Sequence, residues 1–143
     1  MADFHFSIPI EARYGDLDPQ WHVNNSRFLT FMEQARMAYL VHLGLWDGVD
    51  FNRLGLIVAD VHAAYLAPMM LWQPVRMEIR AAKLGNKSLT FEYRLVDTAQ
   101  GKILFTAETV MVAYDYDAHA SMPVPALWRE RISAFDEIPE KTP

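Results

Sequence analysis

Hydrophobic positions along the chain change period twice, and the changes mark out the elements. From Phe4 to Tyr14 the pattern has period two. Phe4, Phe6, Ile8, Ile10 and Ala12 fall on one side; His5, Ser7, Pro9, Glu11 and Arg13 fall on the other. That alternation predicts a half-buried strand. Pro9 lies on the outer set and lacks a ladder donor, which predicts an edge position or a bulge. After a polar stretch from Gly15 to Val23 the period becomes helical. Phe28, Phe31, Met32, Ala35, Tyr39 and Leu43 form one stripe, widened by Leu29, Met37 and Leu40. The predicted helix runs from about Ser26 to Leu43, with Asn24, Asn25 or Ser26 as its cap and Gly44 as its stop. So wide an apolar surface implies burial over much of the circumference.

Period two returns at Gly55. Ile57, Ala59, Val61, Ala63 and Tyr65 oppose Val58, Asp60, His62, Ala64 and Leu66, a strand apolar on much of both faces. Val75 to Leu84 puts Val75, Met77, Ile79 and Ala81 inside and Arg76, Glu78 and Arg80 outside. Gly85-Asn86-Lys87 is a hairpin turn, after which Leu89, Phe91, Tyr93 and Leu95 continue the inner face, with Thr90, Glu92 and Arg94 outside. Ala99-Gln100-Gly101 turns again into the longest strand, Lys102 to Tyr116. Three strands joined by tight turns predict an antiparallel meander. Ala126 to Phe135 reads as a short helix with Leu127, Trp128, Ile132 and Phe135 on its apolar side. The expected architecture is α+β: one long apolar helix and a curved antiparallel sheet that bury each other, as a single domain over residues 1–143.

Composition adds exclusions. With 143 residues, of which 52% are hydrophobic and 22% charged, the chain can bury a sizeable core. Only the last residues, IPEKTP, read as disordered. The net charge of −5 argues against a general nucleic-acid binder. There is no cysteine, so disulfides, zinc–thiolate sites and a cysteine nucleophile are excluded. The first residues show no basic segment followed by an apolar run, so no signal peptide is expected. The apolar windows near Leu54–Val58 and Ala63–Leu71 are too short or interrupted to span a bilayer. These features fit a cytoplasmic protein.

The chemistry concentrates in Arg13 to Arg36, RYGDLDPQWHVNNSRFLTFMEQAR. A polar loop feeding a helix start offers unpaired N–H groups and a partial positive charge, a setting suited to a carbonyl or a phosphate. Asp18 can attack a carbonyl or deprotonate a water; with Pro19 beside it, it can also simply start a turn. Asn24 and Asn25 can cap the helix. His22 has no histidine partner at metal-ligand spacing, so no metal is expected, and it reads as a hydrogen-bonding residue that holds the loop near Asp18. Asp16 is expected to turn away and pair with Arg13 or Arg36. Glu33 needs a partner on a buried helix, and Arg36 at i+3 is the local one.

Taken together, strand, D-x-D loop, HVNN, and a central helix carrying E-x-A-R resemble the hotdog-fold acyl-CoA thioesterases of the 4-hydroxybenzoyl-CoA thioesterase-like family. The matching residues are Arg13, Asp16, Asp18, His22, Val23, Asn24, Asn25, Phe28 (usually Tyr there), Glu33, Ala35 and Arg36. The resemblance implies a central helix wrapped by a five-stranded antiparallel sheet. It implies homodimers or homotetramers joined at the Leu56–Leu66 strand, with sites between subunits and the acyl group beside the helix. It further implies an acyl-CoA substrate, Asp18 as base or nucleophile, the Asn25 amide as oxyanion donor, and His22 and Asn24 shaping the loop, with no metal or redox cofactor. Asp60 and His62 would lie near a neighbouring subunit's site. Arg80, Lys83, Lys87 and Arg94 would be available to the phosphates of coenzyme A, or would form an ordinary solvated face. Phe28, Phe31, Met32, Met69, Met70 and Trp72 suggest an apolar or aryl pocket, or plain core. One departure stands out: the family commonly has Gly directly before HVNN, and this chain has Trp21, a ring able to narrow the channel or pack under the loop. A hotdog hydratase or dehydratase, and a non-catalytic acyl-CoA or acyl-carrier-protein binding module, are the competing expectations.

Overall fold

The computed structural model describes residues 3–139; residues 140–143 of the terminal stretch read as disordered lie outside the described residues. The elements run β1 (Phe6–Ile10), α1 (Asn25–His42), β2 (Leu56–Tyr65), β3 (Val75–Leu84), β4 (Ser88–Asp97), β5 (Ile103–Asp115), β6 (Ala120–Ser121) and α2 (Ala126–Asp136). The sheet is antiparallel with order β1-β3-β4-β5-β2, and the short β6 adds to β5. Both the meander and the edge position of Pro9 follow the sequence pattern. The first strand is shorter than its alternation, because the chain leaves the sheet after Ile10 to build the polar loop.

The α1 stripe lies on the concave face of the sheet. Phe28, Phe31, Met32, Ala35, Tyr39 and Leu40 are buried against Met77, Ile79, Phe91, Tyr93, Leu95, Phe105 and Met111. This is the hotdog arrangement. Gly44 ends α1 with φ +70: its N–H donates to Val41 O at 3.0 Å, and the Leu45 N–H donates to Leu40 O at 2.9 Å. These are the paired bonds of a Schellman motif, which needs the left-handed residue that glycine supplies.

Two polar groups inside this core were not expected. Arg36 is 8% exposed, and its Nη1 donates to the Tyr93 hydroxyl at 3.0 Å, which in turn shares a 2.9 Å hydrogen bond with Thr109. Among the described residues it makes no ion pair with a carboxylate. The expected Glu33–Arg36 pair is therefore absent: Glu33 points to solvent while Arg36 turns inward. The second group is Asp136, at the end of α2. Its Oδ2 accepts from the Tyr39 hydroxyl at 2.5 Å and from the Ala81 N–H at 2.9 Å. β1 pairs with β3 only as far as Ile79, so the Ala81 donor would otherwise be left without a strand partner. One carboxyl thus ties α2 to both α1 and the sheet.

Burial pushes the Asp136 carboxyl above its ordinary value of 3.8, against the lowering effect of its hydrogen bonds. A carboxyl raised in the folded state favours the protonated protein. Stability from this group should fall as pH rises from the ordinary carboxyl value through the raised one. Asp136→Asn, which keeps an acceptor, should flatten that slope. Asp136→Ala should cost roughly 2–5 kcal/mol at every pH by orphaning two buried donors. Urea titrations between pH 4 and 8 check both outcomes.

Candidate functional site

The loop between β1 and α1 is held by its own backbone. Asp16 is 5% exposed. Its carboxylate accepts from the Arg13 N–H at 2.8 Å and lies 3.5 Å from Arg27 Nε. Asp16 does turn away from the helix start, but the charge it meets is Arg27, not the side chain of Arg13 or Arg36. Arg27 is one turn into α1 and reaches back over the loop, whereas Arg36 is committed to Tyr93.

From Asp16 onward nearly every amide has a protein acceptor. Asp16 and Leu17 donate to Arg13 O and Tyr14 O, Asp18 to His22 O, and Trp21 to Asp18 O. Gln20 and His22 donate to Asp18 Oδ1 at 2.8 and 3.2 Å. Val23 donates to Met69 O and Asn24 to Asp16 O. Ser26 donates to Asn24 Oδ1 at 2.9 Å, and Arg27 to Asn24 O at 2.9 Å. Between Asp16 and Arg27, Pro19 has no N–H to give, and the Asn25 amide alone lacks an acceptor among the described residues. Asn24 is therefore the cap, and Asn25 is the first residue of α1, its N–H free at the positive end of the helix.

Asp18 is half-buried. Its Oδ1 is engaged in the turn, while Oδ2 makes no hydrogen bond among the described residues. Asp18 and Asn25 line one cleft of about 510 Å³ together with His22, Val23, Phe28, Tyr65, Leu66, Ala67 and Pro68. The residue with the unbonded carboxylate oxygen and the residue with the free amide thus line one cleft with an apolar wall. This arrangement can act on a carbonyl, with an attacking or proton-accepting oxygen beside a donor for the charge that develops. His22 lines the same cleft, but its backbone, not its imidazole, holds the loop to Asp18. No group of three or more His, Asp or Glu side chains among the described residues is placed to hold a metal.

Tyr65 went unnoticed in the sequence because it looked like one more alternating strand residue. Its hydroxyl donates to Asn25 O at 2.9 Å, pinning the first turn of α1 to the end of β2. Its ring lies 5.3 Å from Phe28 and 5.2 Å from Phe105, and Phe28 stacks on Phe105 at 5.4 Å, so the three rings close one end of the cleft. Phe31, Met32 and Met69 are core, while Met70 and Trp72 are exposed.

The remaining candidates are not brought to the cleft within one chain. Asp60 and His62 pair with each other at 3.0 Å on the exposed strand β2. Arg80 pairs with Glu92 at 3.5 Å, and Arg94 with Glu78 at 2.6 Å, on the convex face of the sheet. Lys83 and Lys87 are exposed near the β3–β4 hairpin. That hairpin lies at the Val112 end of β5, whereas Tyr65 pairs with Phe105 at the other end, roughly 23 Å away along the strand.

Trp21 does not pack under the loop. Its side chain is 68% exposed and its φ is +66. A left-handed backbone suits glycine and costs a residue with a Cβ about 1–2 kcal/mol.

A curled antiparallel sheet around one helix, with a carboxylate and a helix-terminal amide facing an apolar cleft, defines a thioesterase-type hotdog protein. The chain belongs to the thioesterase-like superfamily, whose family model matches residues 12–135. It is similar to the long-chain acyl-CoA thioesterase FadM of Escherichia coli, with 23% identity over 86% of this chain and 93% of that protein. It is also similar to the acyl-CoA thioesterase YbgC of Haemophilus influenzae, with 27% identity over 79% of this chain and 82% of that one. Among solved structures, a thioesterase from Thermus thermophilus complexed with coenzyme A and zinc superposes with a TM-score of 0.84 at 31% identity, covering 97% of this chain and all of that one.

Asn24→Ala should cost about 1 kcal/mol of stability through loss of the cap. Tyr65→Phe should cost roughly 0.5–1.5 kcal/mol through loss of its hydrogen bond. Chemical denaturation of the two variants checks both values.

Proposed function

We propose that this protein is a cytoplasmic acyl-CoA thioesterase, hydrolysing a thioester to a carboxylic acid and coenzyme A. The observation that carries the reading is the pairing, across one apolar cleft, of the free Asp18 oxygen with the free Asn25 amide. The acyl-CoA substrate is supported by the names of the FadM and YbgC relatives and by the coenzyme A in the Thermus structure.

In this reading the substrate carbonyl oxygen accepts the Asn25 N–H, which holds the charge of the tetrahedral intermediate with the helix dipole behind it. Asp18 Oδ2 either takes a proton from the attacking water or adds to the carbonyl carbon. In the second case it expels the thiolate and forms an anhydride that water then opens. Either way one water is consumed, one C–S bond breaks, and the products are the acid and the thiol. His22 and Asn24 shape the loop, and the chemistry calls for no metal or redox cofactor.

The protein acts as a homodimer, or as a homotetramer of such dimers. β2 is bonded to β5 on one side only, and Ile57, Val58, Val61 and Tyr65 are exposed along it. An unpaired edge this long and apolar is a template for a second copy. Antiparallel pairing about its middle would bring the Lys83–Lys87 end of one sheet to the Asp18 end of the other. That places those cations, with Asp60 near the join, where the phosphates of coenzyme A need charge. Arg80 would contribute from the convex face.

Asp18→Ala and Asp18→Asn, checked for folding by circular dichroism, should lose about 10²- to 10⁴-fold in thiol release from acyl-CoA esters. Near-full activity of either folded variant on every ester the native protein cleaves would remove Asp18 from the chemistry. Light scattering should give a dimer or larger assembly; a stable, active monomer would contradict the shared site.

A further inference from the structure

Asp18 stands at the junction of two concavities. One is the apolar cleft already described. The other, of about 330 Å³, lies on the far side of the loop and is lined by Tyr14, Gly15, Leu17, Asp18, Pro19 and Trp21. Its two rings are turned to solvent, Tyr14 at 80% exposure and Trp21 at 68%. Trp21 makes no hydrogen bond through its indole and stacks on no other ring among the described residues. It holds a left-handed backbone that disfavours any residue with a Cβ. Neither packing nor backbone preference accounts for a tryptophan here. A strained, exposed aromatic residue beside a reactive group points to a ligand.

A thioester has two arms that diverge at the carbonyl, and Asp18 lines two separate concavities. The Phe28, Tyr65 and Leu66 cleft is the apolar one and suits the acyl arm. We propose that the Tyr14–Trp21 concavity takes the thiol arm, and that Trp21 is a specificity-determining residue whose indole covers the first amide of the pantetheine chain. The position limits what Trp21 can touch. It closes a turn whose N–H bonds to Asp18 O at 3.0 Å, so its ring reaches the segment next to the sulfur and not a distant nucleotide. A flat indole over a planar amide and its methylene groups buries apolar surface without requiring charge, and this concavity has no cation among its lining residues. The inference rests on the thioesterase reading and names which half of the substrate each side of Asp18 receives. The pantetheine arm is common to coenzyme A and to acyl-carrier protein, and the same contact would serve either.

The test compares three esters of one acyl group: the coenzyme A ester, the N-acetylcysteamine ester and the ethanethiol ester. Each is measured with native protein, Trp21→Phe and Trp21→Gly, and the acyl-carrier-protein ester is run alongside. The readout is the kcat/KM of each amide-bearing ester divided by that of the ethanethiol ester. In Trp21→Gly this ratio should fall about tenfold, mostly through KM, and Trp21→Phe should restore most of it. The same Trp21→Gly variant should melt roughly 3–5 °C higher, because the strained backbone is relieved. A loss confined to the acyl-carrier-protein ester would put Trp21 against the carrier protein and overturn the inference; a loss on every amide-bearing ester assigns the arm itself. An unchanged ratio, or equal losses on all three small esters, would overturn the inference while leaving the hydrolase reading intact. If native protein cleaves none of the esters, the hydrolase reading fails. Pantetheine titrated against native protein and Trp21→Gly then decides the inference: weaker binding by the variant supports it, and equal or absent binding overturns it.

Discussion

The start of α1 depends on a near-complete accounting of backbone hydrogen bonds. Buried or crowded N–H groups must find acceptors, and here the loop supplies most of them from within: Asp18 Oδ1 takes two, Asn24 takes two and Asp16 O takes one, while Met69 O reaches in from the β2–β3 connection. What remains among the described residues is one amide and one carboxylate oxygen, on two residues that line the same cleft. A looser loop would let the Asn25 N–H find a protein partner, and a helix capped one residue later would bury it in the cap. Asn24 fixes where the helix begins, Asp16 fixes where the loop passes, and Tyr65 fixes the first turn against the sheet. The geometry proposed to be reactive is therefore a remainder left by the satisfied groups, already in place before any substrate binds.

That remainder needs α1 to be immobile, and the core provides this. The apolar stripe fills the concave face of the sheet, and two polar contacts set the helix's position within it. Arg36 reaches the Tyr93–Thr109 pair in the sheet, and Tyr39 reaches Asp136 of α2. Apolar packing alone would allow a helix of this length to slide or rotate. Hydrogen bonds at two heights along it oppose both movements. The price is a buried guanidinium without a carboxylate partner among the described residues and a carboxyl whose protonation is favoured by burial.

The sequence made the elements plain wherever hydrophobic period decides them. β3, β4, β5, α1, the Gly44 stop and α2 lie where their patterns put them, because each element buries one face and the period records it; β2 lies where its alternation runs although within one chain only Leu56 of it is buried, and the short β6 falls in a stretch without a period. Pro9 marked an edge for the same reason: a missing donor is tolerated only there. The site was legible through its local part. Asp18, Asn24 and Asn25 are close in the chain: spacing offers Asp18 as a turn former and Asn24, Asn25 or Ser26 as the cap, while the Asn25 amide as donor is implied by the family resemblance. Long-range partners were not legible. Arg36 has a carboxylate one turn away in sequence and bonds instead to a tyrosine 57 residues on, because its side chain points into the core and Glu33 does not. Tyr65 reaches Asn25 across 40 residues, a contact no periodicity contains. Within one chain Lys83 and Lys87 lie at the far end of the sheet from Asp18, a separation no local pattern contains. Trp21 was visible as a departure from the family's Gly, and the backbone angle supplies the physical reason that glycine suits the position.

The central claim is the placement of one carbonyl oxygen. A crystal structure with a non-hydrolysable ketone analogue of an acyl-CoA tests it. The account predicts the analogue's carbonyl oxygen about 2.7–3.1 Å from the Asn25 nitrogen, with Asp18 Oδ2 facing the carbonyl carbon or a water poised above it. A carbonyl oxygen bound elsewhere, with the Asn25 amide unused in the complex, would contradict it.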